Sequence, residues 1–341
     1  MGEARVSIEA NTKSDSRAGP LTTSAHWLRR SSIASIVWRM KNLAPLAAIA
    51  ALWILTPSVT LAQRPLKVYI SADMEGITGV VSVDQLTPAN FEYAQARQWM
   101  TAEVLAAIQG AREAGATEFV VSDSHGNGES LLIDKFPSDV PVTIVRSFPR
   151  PLGMMEGIDS TFGAVIFIGY HAATTSTTGV RAHTMSSALL TRIALNGVAQ
   201  SEAGINAAIA AQFGVPVVLI TGDDAIVSET KQRLGAIEGV AVKRAIGFHS
   251  AATLTPEAGQ ARIRQAAKTA VMRRAEMKPY TMAKPLSVEV SFKNYRPVEL
   301  LGYLPNIQRI DAHTVRFAGR DMIEISKFLE FVTSYDATLT P

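Results

Sequence analysis

The stretch VYISADMEGITGVV, from Val68 to Val81, carries an apolar, strand-like run that ends in two acids, Asp73 and Glu75. Side chains alternate with a period of two along a strand, so both carboxylates are expected on one face. Two such negative charges stay ionised together only if a cation lies between them. The segment therefore predicts a strand ending at a metal site, with Gly76 allowing a sharp turn away from it.

Strand-like and helical runs alternate on the C-terminal side of this stretch. The central strands are apolar along nearly their whole length, which is typical of strands covered on both faces. The pattern predicts an α/β fold, a mostly parallel sheet with helices on both faces. The predicted strands are 67–73, 116–126, 141–147, 162–172 and 215–224, and the predicted helices are 89–115, 201–214 and 225–235.

The pattern changes past residue 245. A predicted helix (256–276) precedes PLSVEVSFKN (285–294), in which polar and apolar residues alternate as in a strand with one solvated face. HTVRFAG (313–319) is its predicted partner strand, and a helix (320–335) follows. We therefore predict an α/β body over 63–245 and a smaller α+β subdomain over 246–341.

Residues 1–62 form a predicted leader. From Met40 a lysine, an apolar stretch and small residues follow in the order of a secretory signal, with cleavage between Ala62 and Gln63. This predicts an exported, periplasmic protein without stable membrane association after cleavage, and Met40 as the true start. An uncleaved membrane anchor through residues 43–62 and a soluble helix are the alternatives.

The charge and cysteine content exclude several classes of function. The net charge is +3, but residues 1–62 contribute seven Lys and Arg against three acids, leaving 26 basic and 27 acidic residues. A nucleic-acid partner therefore loses its main support. There is no cysteine, so disulfides and thiolate ligands are excluded and a transition metal must bind His, Asp and Glu.

Metal-competent side chains follow several of the predicted strands. In an open parallel sheet, ligands bind beyond the carboxyl ends of the strands. The candidates are Asp73, Glu75, His125, His171 and Glu202, with His183 in the adjoining loop. They outnumber the three protein ligands that a catalytic zinc ion usually takes, which favours two ions bridged by a carboxylate. An unliganded histidine could then transfer protons.

These residues lie in motifs that resemble the D-aminopeptidase family of zinc peptidases, peptidase family M55. The motifs occur in order along the chain: SADMEG (71–76), SDSHG (122–126), GYHA (169–172), HTMS (183–186), SEAGINA (201–207) and VLITGDD (218–224). The resemblance implies an exopeptidase with two Zn²⁺ ions per subunit that acts on short peptides with an N-terminal D-residue, such as D-Ala-D-Ala. It also implies a homodecamer of stacked rings.

The resemblance also implies a role for each site residue. Asp73 is expected to bridge the two ions, and His183 to be the catalytic histidine beside them. The other ligands are expected to be Glu75, His125, His171 and Glu202.

Two alternatives stay open at this point. A dinuclear phosphoesterase would need further ligands, for which Asp123, Asn127 and Asp223 are candidates. An exported ligand-binding protein would share the α/β body but not the converging metal ligands. A family member that has lost catalysis is disfavoured, because all six expected positions are occupied.

Overall fold

The computed structural model describes residues 65–336, so the predicted leader lies outside the described residues. The larger sheet has seven strands in the order β3-β2-β1-β4-β7-β8-β9. Its strands are β1 (Leu66–Ala72), β2 (Ala116–Asp123), β3 (Val142–Val145), β4 (Phe162–Tyr170), β7 (Val217–Asp223), β8 (Glu238–Gly247) and β9 (Ser250–Thr253). Only β9 pairs antiparallel within this sheet. The predicted mostly parallel sheet is confirmed.

Six α-helices lie within the described part of the chain. They are α1 (Tyr93–Glu113), α2 (Glu202–Gln212), α3 (Asp224–Leu234), α4 (Pro256–Met272), α5 (Tyr295–Leu301) and α6 (Met322–Ser334). Helices α1 and α4 pack against each other and against the larger sheet, whereas α2 packs on β4 and α6. Among these helices, none is both long and apolar enough to cross a membrane.

The second sheet is antiparallel and has the order β11-β12-β10-β5-β6. Its strands are β5 (Leu190–Leu195), β6 (Val198–Ala199), β10 (Leu286–Phe292), β11 (Ile307–Arg309) and β12 (Thr314–Gly319). The alternation in β10 predicts its burial correctly, since its four apolar side chains are buried and its three polar ones are half-buried. On the half-buried face, Glu289 pairs with Arg192 at 2.8 Å and with Arg316 at 2.7 Å.

The two sheets do not divide at the predicted boundary after residue 245. Strands β5 and β6 precede that boundary but belong to the second sheet, because β5 pairs with β10. Helix α4 follows the boundary but packs on α1 of the body. A signal for the β5–β6 hairpin was present: Asn196 and Gly197 have φ of 48° and 81°, the conformation that an Asn-Gly hairpin turn requires.

Candidate metal centre

The site lies where β1, β2 and β4 end at the same edge of the larger sheet. Asp73 follows β1, His125 follows β2, and His171 follows β4. Glu202 begins α2, and His183 lies in the loop between β4 and β5. All six residues predicted from the sequence line one cavity of about 310 Å³. The five predicted ligands are buried there, and His183 is half-buried.

The first group of candidate ligands is Asp73, Glu75 and His125. The Nδ1 atom of His125 lies 3.3 Å from Asp73 Oδ1 and 3.0 Å from Glu75 Oε2. One ligand atom from each residue lies within 4.8 Å of the other two, close enough for a single ion. The two carboxylates converge on one point, but β1 ends at Ala72, so the loop after the strand, and not the predicted strand alternation, brings them together.

The second group is His171, His183 and Glu202, whose ligand atoms also lie within 4.8 Å of one another. The Nε2 atom of His171 lies 3.2 Å from Glu202 Oε2 and 3.3 Å from Asp73 Oδ2. Asp73 therefore turns one carboxylate oxygen to each group. This is the geometry expected of a carboxylate that bridges two metal ions.

Backbone carbonyls orient the two histidines of the predicted ligand set. Nε2 of His125 lies 2.8 Å from the carbonyl oxygen of Leu86, and Nδ1 of His171 lies 3.2 Å from that of Ala172. A ring nitrogen that donates to a carbonyl leaves the other nitrogen with a free lone pair. This leaves Nδ1 of His125 and Nε2 of His171 as the atoms able to bind a metal ion.

His183 is oriented in a similar way. Its Nδ1 lies 2.8 Å from the carbonyl oxygen of Arg181, which leaves Nε2 as the atom that can accept a proton or ligate a metal. Its ring stacks on that of His171 with a centroid distance of 4.1 Å and an interplanar angle of 7°. By distance alone His183 could bind the second ion, so its catalytic role stays a prediction.

The electrostatics of the first group call for a cation. Burial, together with the charge of Glu75, raises the pKa of Asp73. Burial also acts to raise the pKa of Glu75, but the neighbouring histidines together outweigh it, through the charge and hydrogen bond of His125 and the charges of His171 and His183, and hold that pKa well below its ordinary value. The charge of Glu75 therefore opposes the ionisation of Asp73, and a divalent cation would allow both carboxylates to be ionised.

The donor set fits zinc. Asp73 Oδ2 is buried and lacks a hydrogen-bond partner among residues 65–336, although it is within ion-pair distance of His171, because the angles do not suit a hydrogen bond. A metal ion would satisfy such an oxygen without requiring that alignment. Imidazole and carboxylate ligands, with no thiolate, are also the set found in catalytic zinc sites.

Gly76 has a different role from the one predicted. Its φ is not in the positive range, so no turn requires a glycine here. Instead its backbone N–H donates to the carbonyl oxygen of Gly169 at 2.7 Å. A Cβ atom at residue 76 would lie 2.0 Å from the carbonyl oxygen of Tyr170. Gly76 is needed because the ligand loop packs directly on the end of β4.

Lys243 on β8 holds this same loop, a role that the sequence analysis missed. Its buried ammonium group donates to the carbonyl oxygens of Glu75, Ile77 and Val80, with 3.0 Å to that of Ile77. All three ammonium protons therefore have an acceptor in the segment that carries Glu75. Burial lowers the pKa of Lys243 to about 8.

Glu103 on α1 holds the loop from the other side. Its Oε1 accepts the N–H of Thr78 at 2.9 Å, while its Oε2 is buried and has no hydrogen-bond partner in the described part of the chain. Burial, more than any other interaction, raises the pKa of Glu103 to about 7 from an ordinary 4.5. In the folded protein the Glu103 carboxyl group is therefore mostly protonated, and so neutral, at pH values below about 7.

This raised pKa predicts a dependence of stability on pH that Glu103→Gln should abolish. Between pH 4.5 and 7 the folded state holds a proton that the unfolded state releases, so the wild type loses stability as pH rises. Over this pH range the free energy of unfolding of the wild type should fall by about 3 kcal/mol more than that of Glu103→Gln. Urea unfolding of both proteins at pH 5 and pH 7.5 measures this difference. Groups other than Glu103 titrate in both proteins, so their contributions cancel in the comparison. An equal change in both proteins would contradict the assignment.

The three residues that kept the phosphoesterase alternative open bind backbone groups instead. Asp123 Oδ2 accepts the N–H of Leu131 at 2.7 Å, and Asn127 Oδ1 accepts that of Glu129 at 3.1 Å. Asp223 caps α3 and accepts the N–H of Ile226 at 2.9 Å. None of them joins the two candidate ligand groups found among residues 65–336.

Comparison with known proteins agrees with the resemblance inferred from the motifs. The family model for D-aminopeptidases, peptidase family M55, matches residues 66–331. A D-aminopeptidase of Bacillus subtilis (strain 168) is 30% identical over 260 residues, covering 76% of this chain and 93% of the relative. The solved structure of the Zn-dependent D-aminopeptidase DppA from Bacillus subtilis, a self-compartmentalizing protease, superposes with a TM-score of 0.76 and 28% identity, covering 81% of this chain and 99% of that chain.

Proposed function

Because the chain belongs to the D-aminopeptidase family, peptidase family M55, we propose that it is a zinc-dependent aminopeptidase acting on short peptides with an N-terminal D-residue. D-Ala-D-Ala is the simplest substrate of this class. The observation that carries the proposal is the arrangement of four further buried candidate ligands around Asp73, whose two oxygens face separate groups. That arrangement suits a dinuclear hydrolase and not a ligand-binding protein.

Five side chains would hold the two zinc ions. Asp73 would bridge them, and the remaining ligands would be Glu75 and His125 on one side and His171 and Glu202 on the other. When bound, the ions would supply an activated hydroxide and polarise the scissile carbonyl. The carbonyls of Leu86 and Ala172 keep the two imidazoles oriented toward the ions, which stabilises the ligand geometry.

His183 is proposed as the group that moves protons. With its Nδ1 proton held by the carbonyl of Arg181, its Nε2 atom faces the cavity side of the ligand group. From there it can take a proton from the attacking water and pass it to the leaving amine. Its half-buried position suits a group that meets substrate more than it suits a structural ligand.

Stereospecificity tests the proposed substrate class. The zinc-loaded protein should release alanine from D-Ala-D-Ala much faster than from L-Ala-L-Ala, and a chelator should abolish the activity until zinc is restored. Alanine release followed by chromatography gives both rates, with buffer plus zinc as the control. Turnover of only the L,L-peptide would refute the D-specificity, and activity unaffected by chelation would refute the zinc dependence.

We also propose that the chain forms a homo-oligomer, and specifically a homodecamer. A solved relative is described as self-compartmentalizing, a term for assemblies that enclose their active sites. On α5 and in the turn that follows it, several large apolar side chains are exposed, and they would be covered in such an assembly: Tyr295, Leu300, Tyr303 and Leu304. Analytical ultracentrifugation of the mature protein should give a mass of ten subunits, and a monomer would contradict the proposal.

Export to the periplasm is proposed from the leader alone. The order of charged, apolar and small residues from Met40 to Ala62 is that of a cleaved secretory signal. N-terminal sequencing of the protein from cells should begin at Gln63. A chain that keeps residue 39 would refute the start at Met40, and one that keeps residues 43–62 would favour the membrane anchor.

A further inference from the structure

Glu330 on α6 stands at the junction of three cavities. It lines the cavity of about 310 Å³ that contains the candidate metal ligands, called the metal cavity below. It also lines a larger open cavity near Pro149 and a small cavity beside α2. Glu330 is only 9% exposed, so its carboxylate is largely shielded from bulk solvent. Glu330 is therefore part of the wall of the metal cavity.

Glu330 is the charged group that the metal site leaves unused. Among the described residues that line the metal cavity, the other carboxylates are Asp73, Glu75 and Glu202, all of them predicted ligands. No Lys or Arg lines this cavity within the same set. With the three ligands bound to zinc, Glu330 is the acid available to a cationic part of a substrate.

The hydrogen bonds of Glu330 leave it free for such a role. Its Oε2 accepts the backbone N–H of Arg150 at 3.3 Å, a long contact. The Arg150 guanidinium donates elsewhere, to the carbonyl oxygens of Asp123 at 2.9 Å and Val145 at 3.3 Å. Burial raises the pKa of Glu330, against the Arg150 interactions that lower it. The Arg150 guanidinium is a nearby cation, but it forms no ion pair with Glu330 among the described residues, so the carboxylate can still pair with the cationic group of a ligand.

The smallest of the three cavities adds a second feature. It has a volume of about 20 Å³ and extends from Glu202 and Glu330 between the apolar side chains of Met154, Met185 and Leu329. A space of this size holds a methyl group or one water molecule. An N-terminal alanine carries an ammonium group and a methyl group on the same carbon, which matches a carboxylate beside a small apolar pocket.

We propose that the Glu330 carboxylate binds the α-ammonium group of the substrate's N-terminal residue and so restricts cleavage to free N-termini. The inference rests on the proposed aminopeptidase function and names the residue that makes it an exopeptidase. Glu330 binds the group adjacent to the scissile carbonyl, so it positions the substrate and takes no part in proton transfer.

Glu330→Gln tests this, because glutamine keeps the shape and an acceptor for the Arg150 N–H but removes the charge. The probes are D-Ala-D-Ala and propionyl-D-alanine, which lacks only the α-amino group. We expect kcat/KM for D-Ala-D-Ala to fall about 10- to 100-fold, mainly through KM, as for loss of a hydrogen bond between charged groups. The rate or inhibition constant of propionyl-D-alanine should not change, and zinc content should stay at the wild-type value.

Two further variants complete the experiment. Glu324→Gln is the matched control, because Glu324 lies on the same helix, accepts the backbone N–H of Arg320 at 2.7 Å and is not among the described residues lining the metal cavity. It should behave as wild type. Glu330→Asp keeps the charge and should recover part of the preference for the free amine, and it also serves if the glutamine variant fails to fold.

The outcomes separate this inference from the proposed function. If the wild type cleaves D-Ala-D-Ala and Glu330→Gln keeps the full preference for the free amine, the ammonium is bound elsewhere, for example by a zinc ion, and the inference falls. If the zinc-loaded wild type cleaves no peptide with a free N-terminus, the proposed function falls and the inference with it.

Discussion

Replacing Asp73 with alanine should remove both zinc ions and lower kcat by about a thousandfold or more. The two oxygens of Asp73 face different ligand groups, so one substitution takes a ligand from each ion. The metal ions stabilise the transition state by several kcal/mol, and each 1.4 kcal/mol corresponds to a factor of ten. Zinc measured by plasma emission spectrometry, alongside turnover of D-Ala-D-Ala, gives both quantities.

Two other substitutions make the Asp73 result specific. Glu75→Ala removes a residue that contacts only the first group, so it should lower zinc content toward one ion per chain. Asp84→Ala removes an exposed acid after the same loop and should leave zinc and activity unchanged. If Asp73→Ala retained two zinc ions, Asp73 would not be the bridging ligand.

The second large effect is expected for His183→Ala. A histidine that transfers protons contributes about 10²- to 10⁴-fold to the rate, so kcat should fall by this factor while both zinc ions remain bound. KM should change little, because substrate binding does not depend on the proton transfer. Zinc analysis and steady-state kinetics on the same preparation measure these changes.

This experiment also decides between the two roles that the geometry allows for His183. Its ligand atom lies within 4.8 Å of those of His171 and Glu202. Loss of one zinc ion in His183→Ala would make it a ligand, and unchanged kcat would remove it from the mechanism. His249→Ala is the control, because that histidine is exposed and should leave zinc content and rate as in the wild type.

The metal site was predictable because its signal is local. Each candidate ligand follows an apolar strand or begins a helix, and parallel strands bring their carboxyl ends to one edge. Lys243 gave no such signal, since its acceptors Glu75, Ile77 and Val80 are 163 to 168 residues away along the chain. Contacts of that range depend on strand order and not on sequence pattern.

The same reason explains why the predicted boundary after residue 245 does not coincide with the division between the two sheets. The predicted strands and helices are present, but the membership of β5 in the second sheet depends on its pairing with β10, nearly a hundred residues later. A boundary that is drawn after residue 245 from the sequence pattern therefore assigns β5 to the wrong sheet. The sequence predicts Gly76 only as a turn residue. The actual reason for a glycine at this position is the close approach of the end of β4, which is visible only in the folded chain.

The contacts of Lys243 and Glu103 bear on the order in which this enzyme is assembled. They bind the loop's carbonyl and N–H groups, so the position of Glu75 does not rely on a metal ion. The folded apoprotein therefore already holds this loop in position, and the ions bind to it afterwards. Zinc should be removable and replaceable without refolding, so that a coloured ion such as Co²⁺ can be introduced to report on the site directly.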